Sequence, residues 1–150
     1  MPYWLMKSEP DAFSVATLQH RQRACWDGVR NYQARNFSAE HAARRAVFFF
    51  YHSSCPRPGI VGIGRIVSGA YPDPSALEPQ SPYFDAKAGA ERNPWVAVDV
   101  EFVEAFGDVI ELMRLRSTPD LAQLPLLKKG NRLSVMPVSA GEWAAVLALR

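Results

Sequence analysis

Ala46-Val47-Phe48-Phe49-Phe50-Tyr51 is apolar at every position, and no other stretch constrains the fold as tightly. A strand with solvent on one face alternates in polarity; a strand covered on both faces does not. The run is therefore expected inside a sheet with material packed above and below it. It ends in His52-Ser53-Ser54-Cys55, and Pro56-Arg57-Pro58-Gly59 carries the residues that reverse a chain. Residues 60–67 then read as the returning strand of a hairpin. Gly62 and Gly64 share one face of that strand, which leaves room for a bulge, a tight bend or an approaching group.

Around this hairpin the chain alternates short strands and short helices. Tyr3-Trp4-Leu5-Met6 is a buried first strand that opens into Lys7-Ser8-Glu9-Pro10, where proline ends ladder pairing. Ser14 offers an N-cap to a helix over residues 15–22. Asn31 offers another to a helix carrying Tyr32, Arg35 and Asn36 and continuing through residues 39–43. Residues 71–94, rich in Pro, Asp, Ser and Gly, form a long loop or flap rather than a linker. Residues 95–103 resume a strand with Val96, Val98, Val100 and Phe102 on one face and solvated Asp99 and Glu101 on the other. Helical turns are expected at 112–115 and 120–124, and a last strand over 132–137 that stops at Pro137. The capping box Ser139-Ala140-Gly141-Glu142 starts a final helix whose apolar face carries Trp143, Val146 and Leu147. Strands among short helices without βαβ repeats define an α+β class. The expected architecture is a small, mostly antiparallel, curved or barrel-like sheet with helices packed over it.

At 150 residues the chain reads as one domain, residues 1–150, able to bury a core without disulfides or metals. No apolar run reaches the length of a membrane span, and the N-terminus has none of the parts of a secretory signal. Cys25 and Cys55 have no partners at metal-ligand spacing, so both are expected as free thiols in a reducing, cytoplasmic compartment. Net charge is +2, but residues 1–75 hold 9 basic against 5 acidic side chains while residues 76–150 hold 8 against 10. That is a local basic bias, not the field of a non-specific DNA coater, so recognition has to rest on a pocket.

Residues 26–37, Trp26-Asp27-Gly28-Val29-Arg30-Asn31-Tyr32-Gln33-Ala34-Arg35-Asn36-Phe37, mix aromatic planes, guanidiniums and side-chain amides without an apolar period. Stacking surfaces beside amide and guanidinium donors suit a nucleobase. Two strand ends add Lys7-Ser8-Glu9 and Tyr51-His52-Ser53, and Trp95 adds a further ring. Competing chemistries have less to stand on. His52, Ser53 and Cys55 are adjacent, but alternation points His52 and Ser53 to opposite faces, and no nucleophile elbow surrounds any serine. His20, His41 and His52 form no metal-ligand spacing. Gly62-Ile63-Gly64 lacks the rest of a dinucleotide fingerprint. Glu9 or Asp27 as a general acid or base lacks a paired carboxylate. No cofactor and no metal is expected.

Tyr3-Trp4-Leu5-Met6-Lys7-Ser8-Glu9-Pro10, the 26–37 string and Phe50-Tyr51-His52-Ser53 together closely resemble the EVE domain family, and the similarity runs on through Pro94-Trp95 and Arg132-Leu133-Ser134-Val135. The resemblance implies a PUA-like fold, a small β-barrel with flanking helices related to YTH and ASCH domains. It also implies binding of DNA or RNA with a modified base held in a pocket. Carried over by position, the pocket is lined by Ser8, Trp26, Asn31, Tyr32, Arg35, Tyr51, His52, Ser53 and Trp95, and the full contact set expected adds Lys7, Glu9, Gly28, Arg30 and Ser134. Ala43-Arg44-Arg45-Ala46 departs from the family's Gly-Asp/Glu turn and offers two arginines to phosphate. The function expected is a non-catalytic module that recognises a modified, flipped base. The alternative is a hydrolase or nuclease acting on nucleic acid, or on a nucleoside-like substrate, through His52 or Lys7.

Overall fold

The computed structural model describes residues 3–30, 46–81, 84–86, 88, 95–131 and 133–150, with the backbone alone for 28–30. The strands are β1 (Tyr3–Ser8), β2 (Arg23–Arg30), β3 (Val47–His52), β4 (Gly59–Ile66), β5 (Tyr71–Pro72), β6 (Trp95–Glu111) and β7 (Val135–Val138). The α-helices among the described residues are α1 (Val15–Arg21), α2 (Leu112–Arg116) and α3 (Ala140–Leu147), with 3-10 turns at Pro74–Leu77, Pro119–Leu121 and Pro125–Leu127. None of these helices is long and apolar enough to cross a membrane.

The seven strands of the described residues join one mixed sheet in the order β2-β6-β4-β3-β1-β7, with β5 also paired to β6. β1 and β3 run parallel because α1 and β2 lie between them in the chain and supply the crossover a parallel pair needs. The other pairings are antiparallel. The α+β class and the mostly antiparallel pairing are as expected. The ladder, however, is an open path between β2 and β7 among the described residues, not a closed barrel.

The apolar run of β3 explains the two-sided core. Phe48 and Phe50 point to one face with Trp4, Met6, Leu18, Trp26, Val96, Val98 and Val100. Phe49 and Tyr51 point to the other with Leu5, Ile60, Ile110, Leu115, Leu121 and Trp143. Phe48, Phe49 and Phe50 are each 0% exposed, and each such side chain contributes about 1.5–3 kcal/mol through burial. The space left by Gly64 is taken by the Phe48 ring across the hairpin, and a Cβ at that position would run into it. On the second face Trp143 of α3 stacks on Phe49 at 3.8 Å and on Tyr3 at 4.6 Å. The helix is started by the expected capping box, in which Glu142 N donates to Ser139 Oγ and Ser139 N donates to Glu142 Oε1.

Three expectations change. The final strand does not stop at Pro137 but passes through it, because β7 is an edge and an exposed proline there costs no ladder bond. β6 runs on to Glu111, with register shifts against β4 that re-aim its second half. Asp99 and Glu101 are half-buried and paired rather than simply solvated: Asp99 accepts from Tyr71 Oη at 2.7 Å, and Glu101 lies between Arg23 and Arg65 at 3.7 and 3.8 Å.

Candidate nucleic-acid interface

The ends of β1 and β3 meet in parallel register, Lys7 beside Tyr51 and Ser8 beside His52, and Ser53 N donates to Ser8 O at 3.0 Å. Alternation then separates the residues into two groups. Ser8 and His52 follow Met6 and Phe50 to the first face; Lys7 and Tyr51 follow Leu5 and Phe49 to the second.

On the first face the polar groups hold the chain that leaves β1. Ser8 Oγ donates to Phe13 O at 2.8 Å, and Val15 N donates to His52 Nε2 at 3.1 Å. These two bonds, with the Ser14 cap on Thr17 N, set α1 over the sheet. They also seat Phe13, whose ring lies 5.5 Å from Trp26 and 5.7 Å from Phe50. An imidazole that accepts at Nε2 is neutral there, and burial pushes the His52 pKa down. A lowered imidazole pKa means the unfolded chain binds the proton more readily than the folded one. This contribution to stability is present above the ordinary imidazole value of about 6.5 and is lost as pH falls below it toward the folded-state value. Thermal unfolding followed between pH 7.5 and 5 is expected to show a fall in Tm that is smaller in His52→Gln. An identical fall in both proteins would contradict this role.

Glu9 is exposed, and its carbonyl accepts from Ala12 N and Phe13 N. Ser134 O accepts from Lys7 N at 2.8 Å. The backbone of these two residues therefore shapes the turn and edge around Lys7.

The second cluster is built by β2. Trp26 lies opposite Val98 and Val29 opposite Val96, so one extra residue is accommodated at Asp27-Gly28. Such a bulge turns a side chain out of the regular alternation. Trp26 just before it is 4% exposed, with edge-on contacts to Phe48 at 5.4 Å and Phe50 at 4.8 Å. An open stacking wall was expected for this ring; burial among three phenylalanines makes it core in this state.

Asp27 is half-buried beside Pro74–Leu77. Burial first and the nearby Asp73 carboxylate second raise its pKa, against lowering by its own backbone N–H and the Ser75 hydroxyl. Asp73 is fully buried and caps the 3-10 turn, accepting from Ser75 N at 2.8 Å and Ser75 Oγ at 2.6 Å. Its own N–H donates to Trp95 O at 3.0 Å, and Trp95 Nε1 donates to Asp85 Oδ2 at 3.0 Å. Trp95 pairs with Arg30 across the ladder, so it flanks the exit of β2. Outside this rim Tyr71 Oη donates to Asp99 and contacts Cys25 Sγ at 3.1 Å. Burial raises the pKa of the Cys25 thiol, and both cysteines are free.

Register shows how far the two clusters are apart along the sheet. Ser8 is level with His52, His52 with Gly59 and Gly59 with Glu111, the last residue of β6; Arg30 is level with Trp95, the first. They are joined not along a strand but through rings, Trp26 to Phe50 at 4.8 Å and Phe50 to His52 at 5.4 Å. Asn31, Tyr32 and Arg35, with the Arg44–Arg45 pair, lie outside the described residues, and Gly28 and Arg30 are placed by backbone alone. Phe13, Asp73 and Asp85 were not singled out from sequence. The string Pro72-Asp73-Pro74-Ser75 carries the signal that finds Asp73, an Asx cap before proline. Among the described residues no group of three His, Cys, Asp or Glu side chains is placed to hold a metal ion.

The EVE domain model matches residues 2–149, and the chain belongs to the EVE domain family. Among solved structures, a Pseudomonas syringae protein is 62% identical, with a TM-score of 0.90 over 98% of each chain. Human THYN1 in complex with 5-methylcytosine-containing DNA is 37% identical, with a TM-score of 0.84 over 99% of this chain and 97% of that one. Human thymocyte nuclear protein 1 is 40% identical over 98% of this chain and 73% of its own length.

Proposed function

We propose that this chain binds DNA carrying a modified base, with 5-methylcytosine as the leading candidate, and holds the base out of its stack at the β2 bulge without catalysing a reaction on it. The observation that carries the reading is the complex of the human relative with 5-methylcytosine-containing DNA, at a likeness that spans nearly the whole of both chains. The local chemistry supports it. Asp27, at the bulge, presents a half-buried carboxyl group, and the preceding Trp26 packs its ring against Phe13 as an apolar floor. Cytosine offers its N4 amino group as a donor, for which a carboxylate is a natural acceptor. A methyl group at C5 adds apolar surface that suits such a floor. In this reading Trp26 is the buried support beneath the base, Trp95 flanks it, and Arg30, Asn31, Tyr32 and Arg35 complete the contacts. Ser8 and His52 act by fixing Phe13 and α1.

The hydrolase or nuclease alternative through His52 has less support. The Nε2 atom that would take a proton already accepts from Val15 N. Base extrusion has its own test. Flipping costs a few kcal/mol, least for a mismatched base. A duplex with a mismatch opposite 5-methylcytosine is therefore expected to bind more tightly than the matched one. Equal or weaker binding of the mismatched duplex would contradict extrusion and favour reading in a groove. RNA oligonucleotides with the same modification, run in parallel, decide the polymer.

A further inference from the structure

We propose that Lys7, the Tyr51 hydroxyl and Arg116 form a seat for a backbone phosphodiester on the face of the sheet opposite the base site. The inference rests on the nucleic-acid reading above and gives it a second contact. Lys7 and Tyr51 are direct neighbours in the β1–β3 ladder, and Lys7 Nζ lies 5.9 Å from the centre of the Tyr51 ring. Arg116 is in the last turn of α2, and the preceding Leu115 is buried in the same apolar cluster as Tyr51. Burial first and the Cys55 sulfur second push the Tyr51 hydroxyl pKa up to about 12, and the Arg116 guanidinium opposes them. The phenol therefore stays protonated and is a donor at neutral pH.

Among the described residues neither Lys7 nor Arg116 forms an ion pair with a carboxylate, in contrast to Arg23, Arg57, Arg65 and Arg150. The Tyr51 side chain is 3% exposed, and its hydroxyl has no hydrogen-bond partner among those residues either. Lys7 is half-buried, and that burial lowers its pKa. Two cations and a hydroxyl donor without partners among the described residues match an oxyanion with several acceptor oxygens. Aromatic packing positions the ammonium, and the short β1 end leaves it at the rim.

The test uses the full chain labelled with ¹⁵N and two probes, dimethyl phosphate and inorganic phosphate, following the side-chain N–H signals of Lys7 and Arg116. Dimethyl phosphate is expected to shift both signals, and Tyr51→Phe to weaken the response. A response to inorganic phosphate alone would overturn the phosphodiester assignment, as would no response to either. The salt dependence of oligonucleotide binding is the second arm. Lys7→Gln and Arg116→Gln are each expected to reduce the slope of log K against log salt by about 0.7–0.9, and Arg116→Gln to leave the preference for the modified base unchanged. An unchanged slope would overturn the seat and leave the base-binding reading standing. If no oligonucleotide binds the wild type, the base-binding reading falls, and the dimethyl phosphate titration alone decides the seat.

Discussion

Trp26→Ala is expected to lower the unfolding free energy by about 3–5 kcal/mol, the range for removing a large aromatic from a closed core. That is a large part of the ~5–15 kcal/mol available to a domain of this kind. The loss has two sources. The indole is 4% exposed and touches Phe13, Phe48 and Phe50, so its removal leaves a cavity between strands and the turn after β1. It also removes the ring that anchors β2 just before the bulge, where register with β6 is already shifted. Chemical denaturation read at equilibrium measures the change. A loss under 1 kcal/mol would mean that the ring is a replaceable surface plate and not a core element. Trp26→Phe keeps part of the packing and is expected to fall between the two.

Asp27→Ala is expected to do the reverse to stability while damaging binding. The pKa of Asp27 is raised, by burial and by Asp73, so the folded chain holds this proton more tightly than the unfolded one. Its favourable contribution is present below the ordinary aspartate value and is lost as pH rises through the folded-state pKa. At neutral pH the ionised group therefore opposes folding. Removing it is expected to leave Tm unchanged or raised, with the pH dependence of stability in the acid range reduced. Loss of one well-placed contact to a base costs about 1–3 kcal/mol of discrimination, or roughly 5- to 150-fold in relative affinity. Asp27→Asn, which keeps an acceptor oxygen, is expected to retain part of it. Weaker discrimination in a protein that is no less stable separates a recognition residue from a structural one. Lower stability with unaltered discrimination would remove Asp27 from the site.

Most of the fold could be read from local pattern, and the departures share a cause. The uniform apolar run of β3, the Ser14 cap and the Ser139–Glu142 box act over a few residues, so sequence reports them directly. The fate of Pro137 depends on β7 being an edge, which is a property of the whole sheet. The length of β6 depends on its partner β4 and on shifted register, again non-local. The same division holds for the site. Lys7, Ser8, Tyr51 and His52 stood out as polar or amphipathic groups at strand ends, but alternation across the parallel ladder sends them to two faces. Trp26 stood out for its company in sequence, whereas its burial is decided by Phe13, Phe48 and Phe50. Asp73 approaches Asp27 only because the 3-10 turn after β5 packs beside β2.

The central claim, recognition of a modified base at the β2 bulge, is tested most directly by equilibrium binding of two duplexes that differ by one methyl group at cytosine C5. Both are measured at one fixed salt concentration, with wild-type protein and Asp27→Ala. The wild type is expected to prefer the methylated duplex, and Asp27→Ala, which loses an acceptor for an N4 amino group that both duplexes carry, is expected to bind both more weakly with the methyl preference kept. Equal affinity of the wild type for the two duplexes would contradict the claim for 5-methylcytosine, and affinity for both duplexes untouched by Asp27→Ala would contradict the placement of its site.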